Sequence, residues 1–303
     1  MTPIRILITG ASGFVGPYVQ AACAREFPDA EIIKASADIT DRAAVFAMVQ
    51  AARPDAVVHL AGIASVGAAR TGRDHAFAVN LGGTLNLAYA LLEHRPRALL
   101  VNAGSSECYG DSFRAGVPLD EQAGFAPLNT YAASKAGADL ALGALAAEAG
   151  LQLVRMRSFN HTGPGQSAGF VIPAFAAQIA GIQAGRQEPV LKVGNLAAER
   201  DFLDVRDVAA AFANAIAKSE TLAPGEIFNL ASGTPRRIGD ILDTLIAASG
   251  IAIEVQTDLD LMRPVDIQRT SGDAGKARRL LNWVPSIAFT TMLRDVLASF
   301  QNT

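Results

Sequence analysis

The chain has 303 residues, of which half are hydrophobic and 18% are charged, and its formal net charge at pH 7 is −3. This composition is typical of a packed globular protein and argues against intrinsic disorder. The charge balance gives no support for binding to nucleic acid or to an anionic membrane. The N-terminus lacks a signal-peptide pattern and no apolar run could span a bilayer. Because the two cysteines, Cys23 and Cys108, cannot form a disulfide framework, we expect a cytoplasmic protein.

Short apolar runs alternate with longer segments of helical pattern in the first half of the chain. Nearly continuous hydrophobicity is typical of parallel strands that are covered on both faces. Alternating strands and helices predict an α/β fold with a doubly wound parallel sheet. The predicted strands are 4–9, 31–35, 56–61, 98–103 and 151–156, and the predicted helices are 14–27, 41–52, 74–94 and 131–149.

A glycine-rich turn, G-A-S-G-F-V-G, follows the first predicted strand at residues 10–16. Gly10 permits a tight turn, Gly13 lets a pyrophosphate approach the backbone, and Gly16 allows close packing of helix on sheet. A glycine pattern at this strand-to-helix junction predicts a dinucleotide site of the Rossmann type, whereas elsewhere it would be only a structural turn. The predicted cofactor contacts here are Gly10, Ser12, Gly13, Phe14, Val15 and Gly16.

The end of the second predicted strand bears on the choice of cofactor. An acidic residue about 20 positions after the glycine motif would bind the adenosine ribose of NAD, but Lys34 and Ser36 occupy this region. Both side chains suit a 2′-phosphate, so NADP(H) is favoured and NAD(H) is the alternative. Asp38 and Ile39 are predicted to lie beside the adenine, although Asp38 could instead cap the helix from residue 41.

The texture of the sequence changes after about residue 160, where Gly, Pro and Arg become more frequent. We therefore expect a dinucleotide-binding domain at 1–160, to which the segment at about 201–232 returns. Residues 161–200 and 233–303 are expected to form mainly a smaller C-terminal substrate-binding lobe.

The glycine motif combines with further motifs: H-L-A-G at 59–62, Asn80 in V-N-L-G-G-T, G-S-S-E-C-Y-G at 104–110, and Tyr131 with Lys135. In this order and spacing, the chain resembles the extended short-chain dehydrogenases/reductases. The resemblance implies that Lys135 and the nicotinamide lower the pKa of Tyr131, that Lys135 also holds the nicotinamide ribose, and that Tyr131 transfers the proton. It also implies that Ser105 binds the reacting oxygen. The further cofactor contacts expected are Leu60, Ala61, Gly62, Asn80, Tyr131, Lys135, Phe159 and His161, where Asn80 could act by bracing the backbone and His161 by packing.

Three segments are similar to the GDP-mannose branch of that family: S-F-N-H-T-G-P-G-Q from 158, K-V-G-N-L-A-A-E-R-D-F from 192, and R-P-V-D at 263–266. The branch contains the GDP-mannose 4,6-dehydratases and the GDP-4-keto-6-deoxy-mannose reductases. The substrate contacts that it implies are Ser106, Glu107, Asn160, Val171, Lys192, Arg200, Arg263 and Asp266. Asp266 is one methylene shorter than the glutamate of the branch. Alternatively, Arg200 forms an ion pair with Asp201, Asp204 or Asp207, and Arg263 is a solvated loop residue.

We expect a reductase that transfers hydride from NADPH to the C4 ketone of GDP-4-keto-6-deoxy-D-mannose, giving GDP-D-rhamnose or its C4 epimer, GDP-6-deoxy-D-talose. Glu107 matches the glutamate with which dehydratases remove water, so the alternative is a GDP-mannose 4,6-dehydratase or another nucleotide-sugar epimerase/dehydratase with tightly bound NAD(P). A redox-sensing binding protein is the alternative outside catalysis. Cys108 is predicted to be buried and inert, and the four scattered histidines show no metal-ligand spacing. The family also implies a homodimer through a four-helix bundle of the helices that begin near residues 74 and 131.

Overall fold

The computed structural model describes residues 3–262 and 267–301. Its centre is a parallel six-stranded sheet with the strand order β2-β1-β3-β4-β5-β9. The first five strands correspond to the five apolar runs of the sequence, and β9 adds an edge strand beside β5. This order reverses direction between β1 and β3, where doubly wound sheets form their binding crevice. The strands are β1 (Arg5–Thr9), β2 (Glu31–Lys34), β3 (Ala56–His59), β4 (Leu99–Ser105), β5 (Leu153–Ser158) and β9 (Glu226–Leu230).

Helices cover both faces of the sheet, as the hydrophobic strands require. On one face α1 and α8 pack together over β1, β4 and β5, and on the other face α2, α5 and α6 pack over β1, β3 and β4. The fold is therefore the α/β Rossmann type that the sequence predicts. The helices of this domain are α1 (Gly16–Glu26), α2 (Arg42–Ala52), α3 (Val66–Thr71), α4 (Arg73–Phe77), α5 (Thr84–His94), α6 (Thr130–Ala149) and α8 (Val205–Ala217).

The predicted helix 74–94 is interrupted. A π-helical segment, Ala78–Gly83, separates α4 from α5, and a 3-10 segment, Ser106–Ala115, follows β4. π-Helical turns often occur at functional sites, because the extra residue reorients side chains and backbone groups. This segment contains Asn80.

The smaller lobe has a core of its own, formed by α7, α9 and α11 with strands β7 and β8. Within it β6 and β10 flank β8, and β7 pairs with β11. Its elements are β6 (Asn160–Thr162), α7 (Val171–Gln183), β7 (Val190–Val193), β8 (Glu199–Asp204), β10 (Pro235–Arg237), α9 (Ile238–Ser249), β11 (Glu254–Thr257) and α11 (Phe289–Gln301).

The two parts of the chain interleave at finer intervals than the sequence texture indicates. Strand β8 pairs within the small lobe, whereas α8 and β9 pack with the large sheet. The short helix α10 (Gly275–Leu280) and Trp283 also join the core of the large sheet, and the Trp283 indole donates to the Asp207 carbonyl at 2.7 Å. We retain the proposed domain division with these exchanges. The sequence did not predict them, because composition does not show which core a short amphipathic segment joins.

Candidate active site

The glycine turn after β1 forms a cradle for an anionic group. Gly10 has φ +68°, and a Cβ there would lie 2.6 Å from the Ala61 nitrogen, so glycine is required. A Cβ on Gly16 would overlap the Ala11 carbonyl. Gly13 is exposed, and among the described residues its Cβ would meet only the Gly10 carbonyl oxygen, at 3.2 Å. The open surface at Gly13, together with the start of α1, fits the pyrophosphate of a dinucleotide.

The end of β2 forms a polar rim beside this turn. Lys34 and Ser36 are exposed there, and Ile39 is buried against Gly83. The suggestion that Asp38 caps α2 is wrong, because Asp41 accepts the capping hydrogen bond from the Ala44 amide at 3.0 Å. The Asp38 carboxylate instead accepts from the Thr40 amide and hydroxyl, which lowers the pKa of Asp38.

Ser105, Glu107 and Tyr131 come together where β4 ends and α6 begins. Burial raises the pKa of Tyr131 to about 12, a hydrogen bond with Ser105 opposes this shift, and the charge of Glu107 adds to it. Tyr131 is therefore protonated at neutral pH, the state in which it can donate a proton. The resemblance implied that Lys135 and the oxidised nicotinamide together lower this pKa; among the groups of the chain itself, burial has the largest influence on the pKa of Tyr131. Ser106, which follows Ser105 in the sequence, is also buried.

Lys135 lies one helical turn after Tyr131, and its ammonium lies next to Gly62. Its ammonium donates to the Ala103 carbonyl at 2.9 Å, and a Cβ on Gly62 would lie 3.4 Å from Nζ. Burial lowers the pKa of Lys135 to about 8. Gly62 is exposed, so the ammonium lies beside open surface where ribose hydroxyls could be bound.

The low pKa of Lys135 predicts that its charged side chain lowers the folding stability of the protein, although turnover requires it. We expect Lys135→Met to abolish turnover and yet to stabilise the cofactor-free chain by about 2 kcal/mol at pH 7. The folded-state pKa of about 8 lies below the ordinary value of 10.5. The folded protein therefore carries the full cost of ionisation below pH 8, and this cost disappears as the pH rises to 10.5. Urea unfolding of both proteins at pH 7 and pH 10.5 measures the difference, and an equal gain at both pH values would contradict this origin.

Asn80 connects the loop at residues 61–63 to the first turn of α6. Its side-chain carbonyl accepts from the Ile63 amide at 2.8 Å, and its side-chain nitrogen donates to the Ile63 carbonyl at 3.2 Å and to the Ser134 hydroxyl at 2.9 Å. Ser134 in turn donates to the Tyr131 carbonyl at 2.8 Å. In the described chain Asn80 therefore braces backbone, as the sequence interpretation allowed.

The loop after β5 packs against the glycine turn. The His161 ring is parallel to the Phe14 ring, with centroids 6.3 Å apart, and its Nδ1–H donates to the Phe159 carbonyl at 3.0 Å. Tyr18 fixes the same loop by donating to the Pro164 carbonyl at 2.7 Å. Burial lowers the pKa of His161, so this ring is neutral at pH 7. His161 thus contacts the glycine turn by packing on Phe14.

Apart from Ser106 and Glu107, which lie in the 3-10 segment after β4, the predicted substrate contacts that the structure describes lie on separate elements of the small lobe. Asn160 is exposed on β6, Val171 begins α7, and Lys192 is exposed on β7. Arg200 on β8 donates to the backbone carbonyls of Glu199 and Ile267 at 2.9 and 2.8 Å. Arg263 and Asp266 lie outside the described residues.

The three aspartates proposed as alternative partners of Arg200 bind other groups. The Asp201 carboxylate accepts from Ser232 and from the Gly233 and Gly272 amides. Asp204 binds Arg206, and Asp207 binds Ser286 and the Ile287 amide.

Sequence reasoning missed a buried ionic network behind the active site. Arg157 on β5 forms two hydrogen bonds to the Asp139 carboxylate on α6, and it also donates to the Tyr109 hydroxyl at 3.0 Å. Tyr109 donates to Asn229 on β9 at 2.7 Å. The signal in the sequence was the presence of two arginines in the apolar run L-V-R-M-R-S, since buried charges require partners.

Both cysteines are free and buried, and burial raises the pKa of each thiol to about 12. Cys108 lies in the 3-10 segment that follows β4. Within 3–262 and 267–301, no group of three or more His, Cys, Asp or Glu side chains could hold a metal ion. Over the same residues no helix has the length and apolar character that a membrane crossing needs.

Similarity to known proteins extends over the whole chain. Residues 23–296 match the family model described as GDP-mannose 4,6 dehydratase. The chain is 31% identical to GDP-6-deoxy-D-mannose reductase of Pseudomonas aeruginosa, over 98% of this chain and 97% of that protein. It is 26% identical to GDP-6-deoxy-D-talose 4-dehydrogenase of Aggregatibacter actinomycetemcomitans, over 97% and 96%.

A solved structure of RMD from Pseudomonas aeruginosa complexed with NADPH superposes with a TM-score of 0.90 and 30% identity, covering 98% of this chain and 99% of that one. The glycine cradle, the Ser105–Tyr131–Lys135 cluster and this full-length similarity agree. The chain belongs to the GDP-mannose 4,6-dehydratase family of NAD(P)-dependent, Rossmann-fold enzymes.

Proposed function

We propose that this protein is a reductase that transfers hydride from NADPH to the C4 ketone of GDP-4-keto-6-deoxy-D-mannose. The product would be GDP-D-rhamnose or its C4 epimer, GDP-6-deoxy-D-talose. The observation that carries the proposal is the meeting of Ser105 and protonated Tyr131 beside Lys135. This geometry suits a carbonyl or carbinol, and the name of the reductase relative supplies the sugar nucleotide.

Each residue of the cluster has a distinct role in the proposed reduction. When bound, the dihydronicotinamide supplies the hydride that reaches C4. Tyr131 donates its phenolic proton to the C4 oxygen, so that the ketone becomes a hydroxyl and the phenolate is reprotonated from solvent. Ser105 donates a hydrogen bond to the same oxygen and stabilises its developing negative charge. Lys135 holds the ribose hydroxyls and stabilises the transient phenolate.

The cofactor proposed is NADP(H), with NAD(H) as the alternative. Lys34 and Ser36 are exposed on the rim where the 2′-phosphate of a bound dinucleotide would lie. A lysine ammonium and a serine hydroxyl both donate hydrogen bonds to phosphate, whereas a carboxylate would repel it. The similar RMD structure is a complex with NADPH, which agrees with this choice.

We also propose that the small lobe binds the GDP group through Asn160, Val171, Lys192 and Arg200, with Arg263 and Asp266 completing the site. Lys192 is held in place because Gln178 forms two hydrogen bonds with its backbone, at 2.9 and 3.1 Å. An exposed cation on such a fixed strand suits a phosphate or a nucleotide base.

A second candidate function is dehydration of GDP-mannose, or another epimerase/dehydratase reaction with tightly held NAD(P). The observation in its favour is Glu107, whose charge acts directly on Tyr131. A carboxylate at this place could remove a proton from the sugar as well as bind a sugar hydroxyl.

The decisive experiment incubates the protein with NADPH and enzymatically prepared GDP-4-keto-6-deoxy-D-mannose. Loss of absorbance at 340 nm in proportion to product, with NMR assignment of C4, would support the reductase and fix its stereochemistry. Conversion of GDP-mannose without net change at 340 nm would favour the dehydratase. Tight cofactor binding without turnover of any nucleotide sugar would replace both with a sensor role.

We further propose a cytoplasmic homodimer in which the helices that begin near residues 74 (α4 and its continuation α5) and 131 (α6) of two subunits form a four-helix bundle. Exposed apolar side chains lie on these helices: Phe77 at the end of α4, Tyr89 on α5, and Leu140 on α6, which is 62% exposed. Large exposed apolar side chains on neighbouring helices often mark a subunit interface.

The dimer predicts a selective effect of charge on α6. We expect Leu140→Arg to produce monomers at micromolar concentration, because an arginine in a helix-bundle core would be desolvated without a partner. Val284→Arg is the matched control, since Val284 is 60% exposed and lies outside these helices. Sedimentation velocity measures both variants, and an unchanged mass for Leu140→Arg would contradict the proposed interface.

A further inference from the structure

The H-L-A-G motif places His59 at the end of β3, where it is 2% exposed and has no role in the mechanism above. Its two ring nitrogens have different partners. Nδ1 lies 2.7 Å from the Thr9 hydroxyl at the end of β1, and Nε2 lies 2.9 Å from the Thr84 hydroxyl at the start of α5. His59 therefore joins two strands of the sheet to the helix that follows Asn80.

The number of hydrogen atoms on Thr84 determines the direction of each hydrogen bond in this series. Thr84 has one hydroxyl hydrogen, which it donates to the Asn80 carbonyl at 2.7 Å. Its oxygen must then accept from His59 Nε2–H, so Nδ1 is the acceptor and Thr9 donates to it. The Thr9 oxygen accepts in turn from the Ala61 amide at 3.3 Å. Burial, with the nearby charge of Lys135, lowers the pKa of His59 to about 3, which keeps the ring in this single neutral form.

This series of hydrogen bonds begins and ends at groups of the candidate active site. Its first donor, the Ala61 amide, belongs to the loop at residues 61–63, and its last acceptor is the Asn80 carbonyl in the π-helical segment. Asn80 continues the connection to Ile63 and, through Ser134, to the Tyr131 carbonyl. The Asn80 side chain packs closely against the loop, because a Cβ on Gly62 would lie only 2.8 Å from the Asn80 side-chain oxygen.

We propose that His59 and Thr84 are positioning residues, which hold Asn80 so that the cofactor loop 61–63 and the first turn of α6 keep one fixed relative placement. Neither side chain touches the substrate. Their loss lets Asn80 turn away, and both the nicotinamide-facing loop and the Tyr131 backbone lose a support. The consequence is weaker binding of the nicotinamide cofactor and slower hydride transfer, with unchanged affinity for the sugar nucleotide. This inference deepens the proposed function and rests on its cofactor site.

Two amide variants separate the two hydrogen bonds of the ring. The terminal nitrogen of Gln can replace Nε2–H as donor to Thr84, whereas the oxygen of Asn can replace only Nδ1 as acceptor from Thr9. We expect His59→Asn to raise the Kd of NADPH about tenfold, the size of one lost hydrogen bond, and His59→Gln to stay within about threefold of the unsubstituted chain. NADPH fluorescence titration measures Kd without any sugar substrate; NADH replaces NADPH if the unsubstituted chain binds it more tightly.

Thr84 provides an independent pair. Thr84→Val keeps the shape but loses donor and acceptor, and Thr84→Ser keeps both, so we expect a loss of about tenfold in cofactor affinity for the first and rescue by the second. The matched control is Thr244→Val, because the Thr244 hydroxyl also donates to the carbonyl four residues earlier, on the exposed surface of α9. This control is expected to leave Kd and turnover unchanged.

Kinetics then distinguish positioning from a general structural role. Positioning predicts a raised KM for NADPH, a lowered kcat and an unchanged KM for the sugar nucleotide. Misfolding of part of the sample would lower kcat alone. The proposal is overturned if His59→Gln and His59→Asn bind NADPH equally, or if Thr84→Val binds it as tightly as the unsubstituted chain. If Thr84→Val does not fold, the His59 pair decides alone. Cofactor binding without reduction of the sugar would refute the proposed function and leave this comparison of Kd values intact.

Discussion

Replacing Tyr131 by phenylalanine is expected to lower kcat about 10³-fold while the Kd of NADPH changes by less than about threefold. The substitution removes the phenolic proton that the C4 oxygen must gain, and it leaves the ring in place. Burial holds the pKa of Tyr131 at about 12, so the tyrosine carries this proton throughout the neutral range. Single-turnover absorbance at 340 nm measures the hydride step, and fluorescence titration measures binding.

Tyr89→Phe is the matched control, because it removes a phenolic hydroxyl from α5 and keeps the apolar ring that we place at the subunit interface. It should leave both quantities unchanged. Retention of more than a tenth of the rate in Tyr131→Phe would show that another group supplies the proton.

The largest effect on stability is expected at Asp139. Its carboxylate accepts from Arg157 Nε and Nη2 at 3.0 and 2.9 Å and from Arg155 Nη1 at 2.9 Å, and both Asp139 and Arg157 are less than 5% exposed. Asp139→Ala would leave a buried guanidinium without its counter-charge, which costs about 3–5 kcal/mol. The free energy of unfolding in urea measures this loss.

The double variant Asp139→Ala/Arg157→Met is expected to recover part of that free energy, because it removes the unpaired charge as well as its partner. Asp240→Ala is the matched control: Asp240 pairs with Arg237 on the surface, where an ion pair contributes about 1 kcal/mol or less. A loss in Asp139→Ala no larger than in this control would contradict the proposed importance of the network.

The same network also contacts the segment that joins the two parts of the candidate active site. Arg157 also donates to the Glu121 carbonyl and lies over the Phe125 ring, with its guanidinium carbon 4.4 Å from the ring centroid. These contacts hold the segment between Ser105 and Tyr131 against β5. The same buried charges that stabilise the fold therefore also hold residues 121–125, which lie between Ser105 and Tyr131 in the chain.

The sequence by itself was sufficient for the large sheet and its glycine turn. Apolar runs of strand length predicted five of the six strands, because a parallel sheet that is covered on both faces must be hydrophobic along its strands. The glycine spacing at 10–16 predicted the turn, since only glycine fits a positive φ against the Ala61 backbone. The four-residue spacing of Tyr131 and Lys135 placed both on one helix face.

Only the tertiary structure decided how distant polar residues meet. Hydrophobic periodicity does not say which carboxylate will neutralise Arg157, and Asp139 lies 18 residues earlier on another element. It does not reveal that Thr9, His59 and Thr84 form one series of hydrogen bonds with a fixed direction. That series requires the start of α5 to lie against the carboxyl ends of β1 and β3. The π-helical segment around Asn80 has no signature in the pattern either, because a single extra residue in a turn leaves the apolar spacing almost unchanged. Local patterns thus determined the elements and the turn, and long-range packing determined the partners of the buried polar groups.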